Sequence, residues 1–169
     1  PKENVVVVVT NEGYVKRVSS KSYAASTEDT TLKPGDFVTG LYECTTLDTI
    51  MIFTNLGNYL FIPVYKIPEM KWKELGKHVN NVVMLNTDEK VIASFIYNKK
   101  DTLVFASKLG MAKRTKMVDY EVARCAKPMV AMKLKSDDEL VNVEIDTGNI
   151  VLVSENGYYL NFKSEELPI

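Results

Sequence analysis

The sequence is short of several things, and each shortage removes a class of protein. It has two cysteines in 169 residues, Cys44 and Cys125, with no second thiol near either. That excludes a thiolate metal site and a dithiol redox pair. Buried free thiols in a reducing cytosol are expected, with one disulfide the alternative. The single histidine, His78, has no partner for nucleophilic or metal chemistry and reads as a hydrogen-bonded structural residue. The longest apolar run is Val5–Val9, far below the ~20 residues that cross a bilayer. No basic segment followed by an apolar stretch marks a secretory signal. Neither sign of charge dominates: 21 Lys and Arg face 22 Asp and Glu, for a net charge of −1. That balance speaks against a nucleic-acid binder, whose footprint is usually basic. What is present is 46% hydrophobic and 25% charged residues, the make-up of a core-forming chain rather than a disordered one. The length suits one domain. The chain opens at Pro1 without a Met, and a piece of something longer is expected.

Internal repetition is the strongest signal. Four stretches share one grammar: an apolar run, a hydroxyl residue, two variable residues, a glycine, then a second run. They are Val5–Val9 with Thr10 and Gly13, Ile50–Phe53 with Thr54 and Gly57, Leu103–Ala106 with Ser107 and Gly110, and Ile150–Val153 with Ser154 and Gly157. Each reads as a β-hairpin, with glycine where the backbone needs positive φ and a hydroxyl bonding the turn. Ten positions after each glycine stands an apolar residue: Tyr23, Ile67, Tyr120 and Leu167. It is expected to fold back and plug the core.

A second hairpin is expected in each full unit. His78–Leu85 would pair with Val91–Tyr97, and Met129–Leu134 with Leu140–Ile145. In the first unit the polar stretch Ala25–Lys33 replaces the strand before Phe37–Cys44. The acid pairs Asp88/Glu89 and Asp137/Asp138 read as turn residues that deter edge pairing. Tyr65–Gly76 is allowed one or two helical turns. The outcome is all-β: four-stranded units at the period of propeller blades, because one such sheet cannot bury both faces alone. The repeats run 4–47, 48–100, 101–148 and, in part, 149–169, about 3.5 blades of one domain. The expectation is the N-terminal part of a larger disc.

The motifs are more specific than a generic propeller. Val7–Arg17, Phe53–Asn58, Val64–Glu69 and Trp72–His78 resemble the C-terminal domain of the A subunit of bacterial type IIA topoisomerases. The resemblance covers nearly the whole chain. Trp72–His78 is most similar to the topoisomerase IV form of Gram-positive bacteria. The DNA-wrapping C-terminal domain of the gyrase A subunit is the close alternative; it carries a Gln-Arg-Arg-Gly-Gly-Lys-Gly box, and the matching stretch Ala24–Lys33 has no Arg and no Gly, which favours topoisomerase IV. The resemblance implies a β-pinwheel, a propeller-like disc of perhaps six blades that exchange outer strands with their neighbours. It implies a domain that binds and bends duplex DNA on its rim and presents segments for ATP-dependent strand passage. It implies no catalytic residue and no cofactor here, with ATP and Mg²⁺ used elsewhere in the holoenzyme. The implied partners are duplex DNA, the A-subunit core and the ATPase B subunit in an A2B2 assembly. The implied place is the cytoplasm, at the nucleoid and not a membrane.

Charge by segment sharpens this. Residues 49–135 carry +8 and residues 136–169 carry −7. Lys16 and Arg17 follow Gly13 by three and four positions, and Lys113 and Arg114 follow Gly110 by the same steps. With Lys21 and Lys116 they are the first candidates for phosphate contact. Lys71, Lys73 and Lys77, with Arg124 and Lys127 in the third unit, are the second set. Two readings stand for each: a DNA stripe, or a solvated strand face or loop. On the DNA reading, changing Lys16, Arg17, Lys113 and Arg114 to Glu removes affinity and leaves folding intact. Trp72 reads as packing. Two other functions compete. A protein-interaction propeller fits the neutral total, and a propeller enzyme lacks convergent polar groups.

Overall fold

The computed structural model describes residues 1–153, 159–167 and 169. Its elements follow the repeat. β1 (Asn4–Thr10) and β2 (Tyr14–Ser19) form the first hairpin, followed by a short helix, α1 (Ser20–Ala24), and by β3 (Val38–Thr45). β4 (Thr49–Thr54) and β5 (Asn58–Pro63) form the second, followed by β6 (Lys77–His78) and β7 (Val91–Ile96). β8 (Thr102–Ser107) and β9 (Ala112–Lys116) form the third, followed by β10 (Met129–Val130) and β11 (Leu140–Ile145). β12 (Asn149–Val153) and β13 (Tyr159–Lys163) pair as the fourth. The turn expected at Ser154–Gly157 lies outside the described residues. Between Tyr65 and Gly76 the helix is a single 3-10 turn, Val64–Lys66.

The hairpin turns close as their residue types dictate. The backbone N–H groups of Tyr14, Asn58 and Met111 donate to the hydroxyls of Thr10, Thr54 and Ser107. Gly57 has φ +81°, and a Cβ there would overlap the Met132 carbonyl oxygen, so both backbone and space demand glycine.

The expected second hairpins do not form. The sheets run β3-β1-β2-β6, β10-β5-β4-β7 and β11-β8-β9. Lys77 and His78 pair with Val15 and Tyr14, one unit back. Met129 and Val130 pair with Tyr59 and Asn58. The second and third units therefore each give a short strand to the outer edge of the preceding unit, the exchange the pinwheel resemblance implies. β3 and β11 both pack beside β7, and the Tyr42 hydroxyl on β3 donates to the Ser94 carbonyl on β7. These strands are the inner edge, and β6 and β10 are the outer edge.

Both faces of β1, β4 and β5 are buried, which explains the unbroken valines, whereas β8 buries only alternate residues. Val5, Val7 and Val9 join Ile50, Ile52, Leu60 and Ile62 in the core between the first two blades. Val6, Val8 and Val18 face the other way, onto Trp72. Met51 and Phe53 turn from Ile50 and Ile52 toward Leu103 and Phe105 of the third blade. Each such side chain contributes about 1.5–3 kcal/mol by leaving water. Of the four plug residues, Ile67 and Tyr120 are buried, whereas Tyr23 and Leu167 are half-buried, Tyr23 meeting Trp72 edge-on at 5.0 Å.

The turn acids do more than deter pairing. In each pair the first member, Asp88 or Asp137, is exposed, and the second, Glu89 or Asp138, is buried. Glu89 accepts from the Thr54 hydroxyl at 2.5 Å, the Asn58 amide at 2.9 Å, and the backbone and side chain of Asn86. Asp138 accepts from the backbone N–H groups of Leu109 and Glu139 at 3.0 and 2.8 Å. Asp36 does the same with Glu12 and Phe37 in the first unit. Each acid clasps the glycine turn of its own blade. Burial opposes the charge on Asp138, but Ser107, the two N–H donors and Lys135 outweigh it and hold the carboxyl below its ordinary value.

Candidate nucleic-acid interface

The two Lys-Arg pairs sit at the seams between units, and the structure corrects their reading as free surface cations. Lys16 is 2% exposed. Its Nζ donates to the Thr30 hydroxyl, to the Trp72 carbonyl at 2.5 Å and to the Glu74 carbonyl at 2.7 Å, and it lies 5.1 Å from the Trp72 ring centroid. Three donors meet three acceptors, so the ammonium is fully employed. Burial pushes its pKa down to about 8, against the pull of Glu74. Lys113 repeats the device: its Nζ donates to the Ala131 carbonyl at 2.6 Å and lies 5.1 Å from the Phe105 ring centroid. Burial lowers its pKa too.

The arginines reach forward one unit. Arg17 Nε donates to the Ile67 carbonyl at 3.1 Å, and Arg114 Nε donates to the Leu167 carbonyl at 2.9 Å. Both acceptors are plug residues of the next repeat. Arg114 also pairs with Asp146 at 3.2 Å, with the two side chains 17% and 12% exposed. Burial disfavours the Asp146 charge, yet Ser164, the Gly148 N–H and Arg114 hold its carboxyl below the ordinary value. The backbone of Arg17 joins in: its N–H donates to Pro68 and its carbonyl accepts from Met70, each at 2.9 Å.

A signal for this was present in the sequence. The position three after each glycine is Lys16, Leu60, Lys113 and Leu160. Leu60 is fully buried, so the site is an inward one that lysine occupies only by reaching buried carbonyls. The stretch Ala25–Lys33, read as a lost strand, supplies part of the cover. The Glu28 carbonyl accepts the Trp72 indole N–H at 2.6 Å, and the Thr30 hydroxyl donates to the Trp72 carbonyl at 2.9 Å. Trp72 is packing, as expected. His78 is structural: its Nε2 meets the Glu12 carbonyl at 2.8 Å and its Nδ1 accepts from the Asn80 N–H at 3.2 Å. That is the neutral Nε2–H tautomer.

The remaining candidates are exposed: Lys21, Lys71, Lys73, Lys77, Lys116, Arg124 and Lys127. Lys77 lies on outer strand β6. Lys71 and Lys73 lead into β6, and Arg124 and Lys127 lead into β10. Lys71 and Arg124 each stand fourteen positions after their glycines. Five of the seven therefore recur on the outer-edge connections of successive blades. Lys73 also contacts Glu28 at 3.2 Å, with both side chains about two-thirds exposed, an ion pair of little strength in water. Lys21 sits on α1 and Lys116 at the end of β9. Among the described residues no group of His, Cys, Asp and Glu could hold a metal ion. No described helix is long and apolar enough to cross a membrane.

Hairpins arranged about an inner edge, with outer strands lent backward and cations on the outer connections, define a strand-exchanged propeller domain. The family model of the DNA gyrase C-terminal domain, a β-propeller, matches the chain four times, at residues 4–44, 48–98, 101–145 and 148–169. The chain belongs to this family. The A subunit of DNA topoisomerase 4 from Bacillus subtilis strain 168 is 35% identical over 99% of the chain, and that from Staphylococcus aureus strain MRSA252 is 40% identical over 99%. The chain spans 22% of the length of each of these relatives. The crystal structure of the C-terminal domain of DNA topoisomerase IV superposes with a TM-score of 0.90 at 38% identity, covering 98% of this chain and 53% of that one. The Escherichia coli ParC C-terminal domain shares the fold, with a TM-score of 0.78 at 17% identity, over 98% of this chain and 67% of that one. The relatives thus stand on the topoisomerase IV side, where the missing gyrase box also points.

Proposed function

We propose that this domain binds and bends duplex DNA along its outer edge and helps a type II topoisomerase present DNA segments for ATP-dependent strand passage. The observation that carries the reading is the recurrence of exposed Lys71, Lys73, Lys77, Arg124 and Lys127 on the outer connections of two successive blades. Such side chains neutralise phosphates without reading bases. Lys21 and Lys116 add charge next to the same hairpins. No catalytic residue is assigned; bond chemistry, ATP and Mg²⁺ are placed in other parts of an A2B2 enzyme. The setting is the bacterial cytoplasm, at the nucleoid.

Fluorescence anisotropy of a labelled duplex, titrated at several salt concentrations, tests this. Neutralising about five phosphates gives a log–log slope of about −4 to −5. Changing Lys71, Lys77, Arg124 and Lys127 to Glu flattens the slope and removes binding while the fold survives, because these side chains are exposed. A slope near zero, or full affinity in that variant, overturns the reading.

A further inference from the structure

The seams between successive blades are built differently. At the first, Arg17 sits four positions after its glycine on the outer edge of β2. The connection Pro68–Met70 lies along that edge, bonded to Arg17 through both backbone groups and bridged in parallel at Glu69. Trp72, fifteen positions after Gly57, then fills the space beneath. At the second seam the equivalent residues are Phe61 and Cys125. The guanidinium that grips the next plug is missing, and a thiol stands where an indole would fill the volume. The connection stays off the strand. The Phe61 N–H, aimed outward where Arg17 aims its own, meets only the Cys125 sulfur at 3.4 Å, a weak acceptor. What remains is a cleft of about 580 Å³ between the edge of β5 and the Glu121–Cys125 connection.

We propose that this cleft receives an extended segment of another protein, which adds to β5 in parallel as Pro68–Met70 adds to β2, with an acidic side chain facing Lys66 and Arg124. The first seam is the template: in the same fold, at the equivalent edge, a chain in that direction is held by two backbone bonds. Addition of a strand to an exposed edge takes its affinity from such bonds and its specificity from flanking side chains. The flanks here are two exposed cations, Lys66 and Arg124, with one acid, Glu121, so the complement is acidic. The floor of Phe61, Ile62 and Val82 takes one apolar side chain. Duplex DNA fits less well, because an edge amide recessed between two connections is open to a single chain, not to a double helix.

The probe is a capped, labelled hexapeptide copying Ile67–Trp72 with glutamate in place of Lys71. Titrated into the ¹⁵N-labelled chain, it produces saturable amide shifts centred on Phe61, Arg124 and Cys125. Arg124→Glu weakens binding about tenfold or more. Cys125→Trp, which refills the cleft as Trp72 fills the first seam, abolishes it. If Cys125→Trp fails to fold, Lys66→Glu, a surface change, replaces it and weakens binding similarly. No saturation at millimolar peptide, shifts mapping elsewhere, or unchanged binding in Arg124→Glu overturns the proposal. So does a short duplex that shifts the Phe61 amide as the peptide does. The peptide readout involves no DNA, so failure of the DNA reading leaves it standing, and the reverse holds.

Discussion

Replacing Lys16 by Met separates a seam lysine from a surface one. Met keeps the buried stem and loses the ammonium. Three charge-assisted hydrogen bonds at about 1.5–3 kcal/mol each would sum to several kcal/mol. Two terms oppose that loss. The ammonium no longer has to leave water, which costs several kcal/mol per ion. The Trp72 carbonyl also keeps its bond from Thr30. What persists is chiefly the stranded Glu74 carbonyl, a penalty of about 1–3 kcal/mol. The expected destabilisation is about 2 kcal/mol, or roughly 4–8 °C in Tm for a chain of this length. Lys16→Glu is worse. It buries a carboxylate against the Trp72 and Glu74 carbonyls, with an expected cost of about 3–5 kcal/mol or failure to fold. Urea and thermal denaturation followed by circular dichroism, with Lys71→Glu as the exposed control, measure both. Wild-type stability in Lys16→Met would refute the seam assignment. A folded Lys16→Glu that loses only DNA affinity would restore Lys16 to the surface.

Other outcomes follow from the same contacts. Burial sets the Lys16 pKa in the fold at about 8, below the ordinary 10.5, so the unfolded chain holds the extra proton between them. The stability of wild type minus Lys16→Met is therefore flat below pH 8 and rises from pH 8 toward 10.5; a fall there would contradict the assignment. Glu89→Ala strips the acceptor from four donors around the second glycine turn and costs about 2–3 kcal/mol by urea denaturation. A double-mutant cycle on Arg114 and Asp146, both mostly buried, gives a coupling of about 1–2 kcal/mol, where an exposed pair gives about 0–1. In native-state hydrogen exchange the Phe61 amide, on sulfur at 3.4 Å, exchanges faster than the Arg17 amide, on a carbonyl at 2.9 Å.

Much of the fold was legible because its signals are local. A glycine at positive φ, a hydroxyl three residues before it and a plug ten residues after it are properties of one short segment, and repetition amplified them. Strand exchange was not legible from periodicity. Lys77–His78 and Met129–Val130 are too short to carry an alternation, and only family resemblance implied where they pair. The acids misled in part for the same reason. In sequence Asp88 and Glu89 are two turn carboxylates, and only the returning Thr54 turn distinguishes the exposed one from the buried one. The candidate site divides by environment. Five cations on the outer connections are exposed, whereas the Lys-Arg pairs that look most like a DNA stripe are drawn inward by carbonyls far away in the chain.

That inward turn explains why the most regular basic residues of the sequence are not its free surface charge. The loops that make the seams between blades turn backbone carbonyls toward these pairs, those of Trp72, Glu74 and Ala131 to the lysines and those of Ile67 and Leu167 to the arginines. An apolar side chain in place of Lys16 would strand the Glu74 carbonyl, at a cost of about 1–3 kcal/mol, while Thr30 still serves the Trp72 carbonyl and Tyr120 the Ala131 carbonyl. A long cation bonds these oxygens and also sets its ammonium against an aromatic face, as Lys16 does with Trp72 and Lys113 with Phe105, each at 5.1 Å from the ring centroid. The second hairpin shows the alternative. Leu60 and Phe61 replace the pair, no guanidinium ties down the next connection, and the seam opens into a cleft. The basic pairs therefore mark where blades are fastened to one another. Charge held in these seams is not free for a partner, whereas the exposed cations, Lys71, Lys73, Lys77, Arg124 and Lys127 among them, are.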